Sequence, residues 1–229
     1  MAGWKFWLQW IIMSAIGWIA GLIGALLLNY SLIKLIKFLI VLTLTDSGTS
    51  GLNEVMQDNI GDGVPGRFID PGVALVCGAI FGSLYGVTFG AIGGIAQWVI
   101  LRRYISKAYL WIIASASVWA CIWGAIWANA WAIGWTAPIL AIKSTYGLIG
   151  AIGVGVFQWL VLRHQVARVY WLILACVMTW TISRFIVIEL AWKFLFFPYI
   201  WLWFLVGVGN GAISGYRFSG AITTIECSI

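Results

Sequence analysis

Apolar and polar positions along the chain form long apolar runs separated by a few short polar intervals. A run of about 20 apolar residues matches the hydrocarbon thickness of a bilayer. The pattern predicts six membrane-spanning helices, over residues 4–29, 71–101, 109–135, 146–162, 170–192 and 199–222. The intervals 102–108 and 163–169 are short and basic, whereas 46–70 is long and polar. That loop carries Asp46, Glu54, Asp58, Asp62 and Asp70 against Arg67, a net charge of −4. Residues 30–45, "YSLIKLIKFLIVLTLT", are too short and too charged for a span. With Lys34 and Lys37 on one helical face, they read as an interfacial helix or as an extension of the first helix beyond the membrane. A seventh span here would reverse the side of everything after it. The runs do not alternate apolar with polar residues, which argues against a membrane barrel. The expected fold class is therefore all-α, a polytopic membrane helix bundle forming a single transmembrane domain over 1–229.

The apolar runs also repeat. "QWVILRRYISKAYLWIIASASVW" at 97–119 aligns without a gap to "QWLVLRHQVARVYWLILACVMTW" at 158–180. The N-terminal "WIIMSAIGW", Trp10 to Trp18, matches "WIIASASVW", Trp111 to Trp119. The recurring unit is a Gly-rich helix ending in QWxxLR, a short basic turn, and a returning Trp-rich helix. Two spans separate successive copies, so the copies share one membrane orientation, unlike the inverted repeats of many transporters. The Gly-rich helices carry rows of small residues: Gly82, Gly86, Gly90 and Gly93; Gly147, Gly150 and Gly153; Gly207, Gly211 and Gly215. Such rows let helices approach closely in lipid, and the expected arrangement is three Gly-rich helices at the centre with Trp-rich helices around them.

Composition sharpens the environment: 63% of residues are hydrophobic and 9% charged, where a soluble globular chain carries about 25% charged residues. The N-terminal apolar run is too long and too Trp-rich for a signal peptide, so it reads as the first span. Lys5, Arg102, Arg103, Lys107, Arg163, Arg168 and Arg217 fall on one side of the membrane; Lys34, Lys37, Arg67, Lys143 and Lys193 fall on the other with the acidic loop. The excess favours both termini in the cytoplasm and the acidic loop outside. Cys77, Cys121, Cys176 and Cys227 are scattered without metal-ligand spacing, and His164 is the single histidine. "DNIGDG" in the outer loop lacks the spacing of a calcium loop. No nucleophile–base pair, phosphate loop or paired catalytic carboxylates are found. The expectation is a non-enzymatic protein with no metal site and no nucleic-acid partner.

The candidate functional residues are aromatic and basic. Trp119, Trp123, Trp127, Trp131 and Trp135 recur every fourth residue. The 16 residue steps from the first to the last cover about 24 Å, and each four-residue interval drifts about 40° around the helix, so the row winds through about 160°. Part of it should serve one groove and part another. The plain reading is packing of large indoles against small residues; the sharper one is an aromatic wall for a flat apolar ligand, a carotenoid, tetrapyrrole or lipid. Arg184 lies mid-span, where a charge marks a functional site by default. Glu189, five residues on, is poorly placed to pair with it, so Asn129, Thr179, backbone carbonyls, water, lipid phosphate or an anionic ligand are its candidate partners. Trp98 with Arg102 and Trp159 with Arg163 suit interfacial lipid or partner contact and cation–π stacking.

At the QWxxLR repeats, over about residues 80–220, the chain resembles a group of Trp-rich multi-pass membrane proteins found chiefly in cyanobacteria. The resemblance implies a bacterial plasma membrane or thylakoid setting and transfers no site residues. The leading expectation is an accessory or scaffold subunit of a larger, plausibly photosynthetic, membrane complex. It would contact membrane lipid and other membrane protein subunits, and would hold lipid or pigment-like ligands against its Trp helices. The alternative is a small-solute or ion transporter or channel with Arg184 in a mid-membrane polar path.

Overall fold

The computed structural model describes residues 2–45, 71–133 and 137–163, together with scattered positions between 174 and 215. Four helices carry most of it: α1 (Ala2–Thr45), α2 (Pro71–Leu101), α3 (Leu110–Ile133) and α4 (Ala137–Leu162). No strand occurs among the described residues. In hydrocarbon the backbone must satisfy its own polar groups, and a helix does so within one segment. Neither α2 nor α3 contains a charged residue. Pro71 opens α2 at the position where a missing N–H costs nothing. Among the described residues, three stretches, Trp4–Leu35, Gly72–Leu101 and Leu110–Ala132, are long and apolar enough to cross a membrane, as in an integral membrane protein of the helical class. The loop at 46–70 and the expected spans 170–192 and 199–222 lie largely or wholly outside the described residues.

Two helices run beyond the predicted spans, the first as the extension that is one of the two readings of residues 30–45. Residues 30–45 continue α1 without a break. The result is a single helix of 44 residues, about 66 Å long and roughly twice the hydrocarbon thickness. α4 begins at Ala137, well before 146.

Glycine sets the distance between α2 and α3. Gly78, Gly82, Gly86, Gly90 and Gly94 form a row of period four on α2, and α3 lies directly on it. A Cβ added at Gly78 would sit 2.5 Å from the Trp127 carbonyl oxygen, and one at Gly90 would sit 2.5 Å from that of Ser115. At Gly82 and Gly86 it would overlap the carbonyls of Trp123 and Trp119. The backbones meet with nothing between them, in the geometry that favours Cα–H···O contacts. A seam that repeats every four residues exceeds the helical 3.6 and winds in the right-handed sense.

The other interfaces use the same device. Gly17 and Gly21 of α1 meet Ala96 and the Phe89 backbone of α2. Gly150 and Gly153 of α4 meet Ile122 and Val118 of α3. Gly207, Gly211 and Gly215 meet Ala15, Ile11 and Trp10 of α1. The glycine rows thus face Trp-bearing helices, Gly93 of α2 lying directly against Gly17 of α1, and α2 and α4 barely touch. This differs from the expected central packing of Gly-rich helices: a glycine row gains most where large neighbours fill its flanks.

The interior is aromatic at two levels. One cluster gathers Phe6, Trp10, Leu101, Trp111 and Leu162 at the end bearing the α2–α3 connection. The other gathers Trp18, Tyr85, Phe89, Trp119 and Val154 further along. The outward positions are aliphatic: Ile12, Ile16 and Ile23 on α1, Val76, Ile80 and Leu84 on α2, Ile149 and Ile152 on α4. Lipid chains solvate such side chains without penalty.

Gly86→Ala tests the seam, because its Cβ has no room against the Trp119 carbonyl. It is expected to cost about 1–3 kcal/mol or more, read as a clear drop in the thermal midpoint in detergent. Gly153→Ala, whose Cβ would meet Val118 at an ordinary 3.5 Å, is expected to leave that midpoint nearly unchanged.

Candidate functional site

The tryptophan row on α3 divides. Trp119 is enclosed: its indole meets Trp18 edge-on at 5.5 Å and Phe89 at 4.9 Å. Trp123, Trp127 and Trp131 are only half-buried. They lie with Tyr85 and Phe81 of α2 in a continuous aromatic row. Phe81 stacks on Trp131 at 5.5 Å, Trp131 on Trp127 at 6.5 Å and Trp127 on Tyr85 at 5.9 Å, each pair within 28° of parallel. Trp123 closes on the other side of Tyr85 at 4.8 Å. Tyr85 is buried at the centre of the row, and Phe81, like the three indoles, is half-buried. Trp135 and Arg184 lie outside the described residues. Asn129 is partly buried, and its side-chain amide donates to the Ala125 carbonyl at 2.8 Å, a local helical bond.

A buried polar network crosses the bundle beside these rings. The Trp111 indole N–H donates to Gln97 Oε1 at 2.7 Å, and Gln97 Nε2 donates to Ser14 Oγ at 3.2 Å. On the far side of α1, the Trp10 indole donates to Ser214 Oγ at 2.9 Å, and the Trp7 indole to the Ala212 carbonyl at 2.9 Å. The two sets of contacts correspond. A Cβ on Gly94 would meet Ile112 and Ser115, and one on Gly211 would meet Ile11 and Ser14. Three residues after each glycine stands the acceptor of an indole, Gln97 for Trp111 and Ser214 for Trp10.

A small cavity of ≈ 30 Å³ opens where the four helices converge, lined by Gly93, Gln97, Ser115, Trp119, Val154 and Gln158 among others. Gln97, Ser115 and Gln158 are all buried. A cavity with this polarity and size has room for about two water molecules.

The end of the bundle at the α2–α3 connection is basic. The connection is a tight turn, with Arg103 N–H bonded to the Ile100 carbonyl at 3.1 Å and Tyr104 N–H to that of Leu101 at 2.9 Å. Ile105 and Ala108 tuck into the aromatic cluster while Arg102, Arg103 and Lys107 point out. The Arg102 guanidinium lies over the Trp98 ring at 5.0 Å, and that of Arg163 over Trp159 at 5.7 Å. Among the described residues, no group of three His, Cys, Asp or Glu side chains could hold a metal. Cys77 and Cys121 are free thiols; His164, Cys176 and Cys227 lie outside the described residues.

Sequence reasoning singled out the indoles and arginines but missed Tyr85, Phe81 and the Ser14–Gln97–Trp111 network. A signal for the network was present: Gln97 precedes the Trp of QWxxLR, and Ser14 and Ser115 occupy the same place in the WIIxS match. Comparison of the chain with protein-family models, curated proteins and solved structures returns no match.

Gln97→Leu removes the acceptor of Trp111 and a donor to Ser14 together. Leaving such groups buried costs about 1–3 kcal/mol each, so the variant is expected to unfold at clearly lower temperature and to blue-shift the indole fluorescence. A structure resolving ordered solvent is expected to show water between Gln97, Ser115 and Gln158.

Proposed function

We propose that this chain is a non-enzymatic integral membrane protein, a scaffold or accessory subunit that holds a flat apolar or lipid-like ligand along the half-buried Phe81, Trp123, Trp127 and Trp131 rings. One observation carries the reading: the near-parallel, half-buried rings of Phe81, Trp131 and Trp127, on two helices locked backbone to backbone and backed by the buried Tyr85. Rings presented at lipid depth on a rigid support offer wide contact at little entropic cost to a conjugated or fused-ring ligand, and Trp adds an N–H donor. The buried members serve packing, which explains why Trp119 and Trp123 differ in exposure.

The same proposal includes the architecture. Three Gly-rich and Trp-rich helix pairs stand around one axis, and the N-terminal helix completes the pair begun by the last Gly-rich segment. Support comes from the matched contacts of Gly94 on α3 and Gly211 on α1, and from the matched indole acceptors Gln97 and Ser214. In this reading six spans form a ring, both termini and the basic connections face the cytoplasm, and the aromatic row lies on the ring's outer flank. There it is accessible to a ligand in the bilayer or to a neighbouring subunit.

The test is purification from the native membrane in mild detergent, with bound material measured by absorption spectrum and by extraction. The wild-type protein is expected to carry a pigment or apolar lipid at near-stoichiometric amount. Trp123→Leu/Trp127→Leu/Trp131→Leu is expected to lose most of it while keeping its helical circular dichroism. Equal retention by the folded triple variant would reduce the row to packing.

A further inference from the structure

The cavity where the four helices converge lies apart from the aromatic row, and its described walls carry no charge. Gln97, Ser115 and Gln158, each more than nine-tenths buried, share its lining with Gly93, Phe89 and Trp119. The Gln97 carboxamide accepts from Trp111 through Oε1 and donates to Ser14 through Nε2, which leaves one of its N–H groups over. Among the described residues, none bonds to the Ser115 hydroxyl. Hydroxyls that are not buried behave differently: Ser31, Thr88 and Thr181 each donate to the carbonyl four residues earlier, the usual local bond of a helical hydroxyl. Ser115 keeps its hydroxyl for the interior, with Oγ 3.5 Å from where a Cβ on Gly94 would lie. Gly93 bounds the same space. A Cβ on Gly90 would sit 2.5 Å from the Ser115 carbonyl oxygen and one on Gly94 3.0 Å from Ile112 Cα, whereas the nearest described atom to a Cβ on Gly93 is the Gly17 carbonyl oxygen at an ordinary 3.9 Å. Close approach of the helices therefore needs glycine at 90 and 94 but tolerates a side chain at 93.

We propose that this cavity is a binding site for a small uncharged molecule that both donates and accepts hydrogen bonds, either water or a solute as small as ammonia or methanol. The Ser115 hydroxyl and the remaining Gln97 N–H hold it, and Gly93 reserves its volume. Three features choose this class. An ion would leave water for walls without an opposite charge, a cost that uncharged groups do not offset. An apolar occupant would leave the Ser115 hydroxyl and the Gln97 N–H unmatched, at a depth where lipid supplies no partner. A volume of ≈ 30 Å³ limits the occupant to about two water-sized groups. The site is independent of the aromatic row and goes beyond the ligand proposed for it.

The experiment uses the full chain in mild detergent. Gly93→Ala places a methyl group in the cavity without a clash. Alanine ordinarily stabilises a helix relative to glycine, so filling a bare packing gap would raise the thermal midpoint. Displacing a bound molecule from the Ser115 hydroxyl is expected to lower the midpoint instead. Gly93→Ala/Ser115→Ala, which removes that hydroxyl as well, is expected to regain part of the loss, with Gly153→Ala as the neutral comparison. The occupant is identified by electron cryomicroscopy of the wild-type chain at a resolution that shows ordered solvent. Density within hydrogen-bond distance of Ser115 Oγ in plain buffer assigns water; density that appears only with added methanol assigns a small solute. No density in either condition, a midpoint unchanged or raised by Gly93→Ala, or no recovery in the double variant would overturn the proposal. These variants leave Phe81, Trp123, Trp127 and Trp131 untouched, so the outcome is separate from that of the aromatic row.

Discussion

Helices in hydrocarbon gain nothing by hiding apolar side chains from one another, since lipid tails solvate them as well. What holds such helices together is close approach and polar pairing. In this protein the approach is set by glycine against tryptophan backbone: the α2 row from Gly78 to Gly94 lies on the carbonyls of Trp127, Trp123, Trp119 and Ser115. A seam without side chains leaves empty flanks on both sides, and only large rings can reach across to fill them. Tyr85 and Phe89 from α2 and the indoles from α3 do so. Gly content and Trp content in this chain are therefore two halves of one packing solution.

Polar pairing is concentrated at one depth. Moving inward from the basic end, the exposed cations come first, then the Phe6–Trp10–Trp111 cluster, then the Ser14–Gln97–Trp111 bonds with the small cavity, and then the Trp18–Phe89–Trp119 rings. The amide of Gln97 joins α1, α2 and α3 at the level where their aromatic clusters divide. A polar group there has only protein or trapped water to bond to, so it fixes the rotational setting of three helices at once. The glycine seam fixes distance and this network fixes register. The first would tolerate sliding by one turn; the second would not.

Much of this was legible in the sequence, for reasons that also set the limit. Long runs apolar on every face announce helices because a barrel strand would alternate apolar and polar residues, and the period-four spacings of Gly and Trp survive directly into the seam. The continuity of α1 past residue 30 was legible as one of two readings. Lys34 and Lys37 lower the hydropathy, yet no Gly or Pro stands between residues 25 and 45, so nothing stops the helix. The early start of α4 was masked in the same way by Lys143, Ser144 and Thr145, although Pro138 in the first turn is a start signal. Which row meets which was not legible at all. A helix apolar on every face gives no sign of its inner side, so the pairing of glycine rows with Trp-bearing helices needed the three-dimensional arrangement. Tyr85 and Phe81 were hidden for that reason too: their role depends on facing Trp127 and Trp131.

The regular spacing of the tryptophans and their unequal exposure follow from one geometric fact. A period of four keeps each ladder carbonyl on a glycine of α2, because the glycine row has the same period and winds with it. The matched pair of rows therefore stays in contact along its length while turning as a unit about the bundle, about 40° per step. At Trp119 the flank of the seam faces inward, onto Trp18 and Phe89. One to three turns further on, at Trp123, Trp127 and Trp131, it has rotated onto Tyr85 and Phe81, and the indoles are half-buried. A single spacing thus builds a core residue at one end and a half-buried aromatic row at the other. A change of period in either row would separate the two, losing the seam and the aromatic row together.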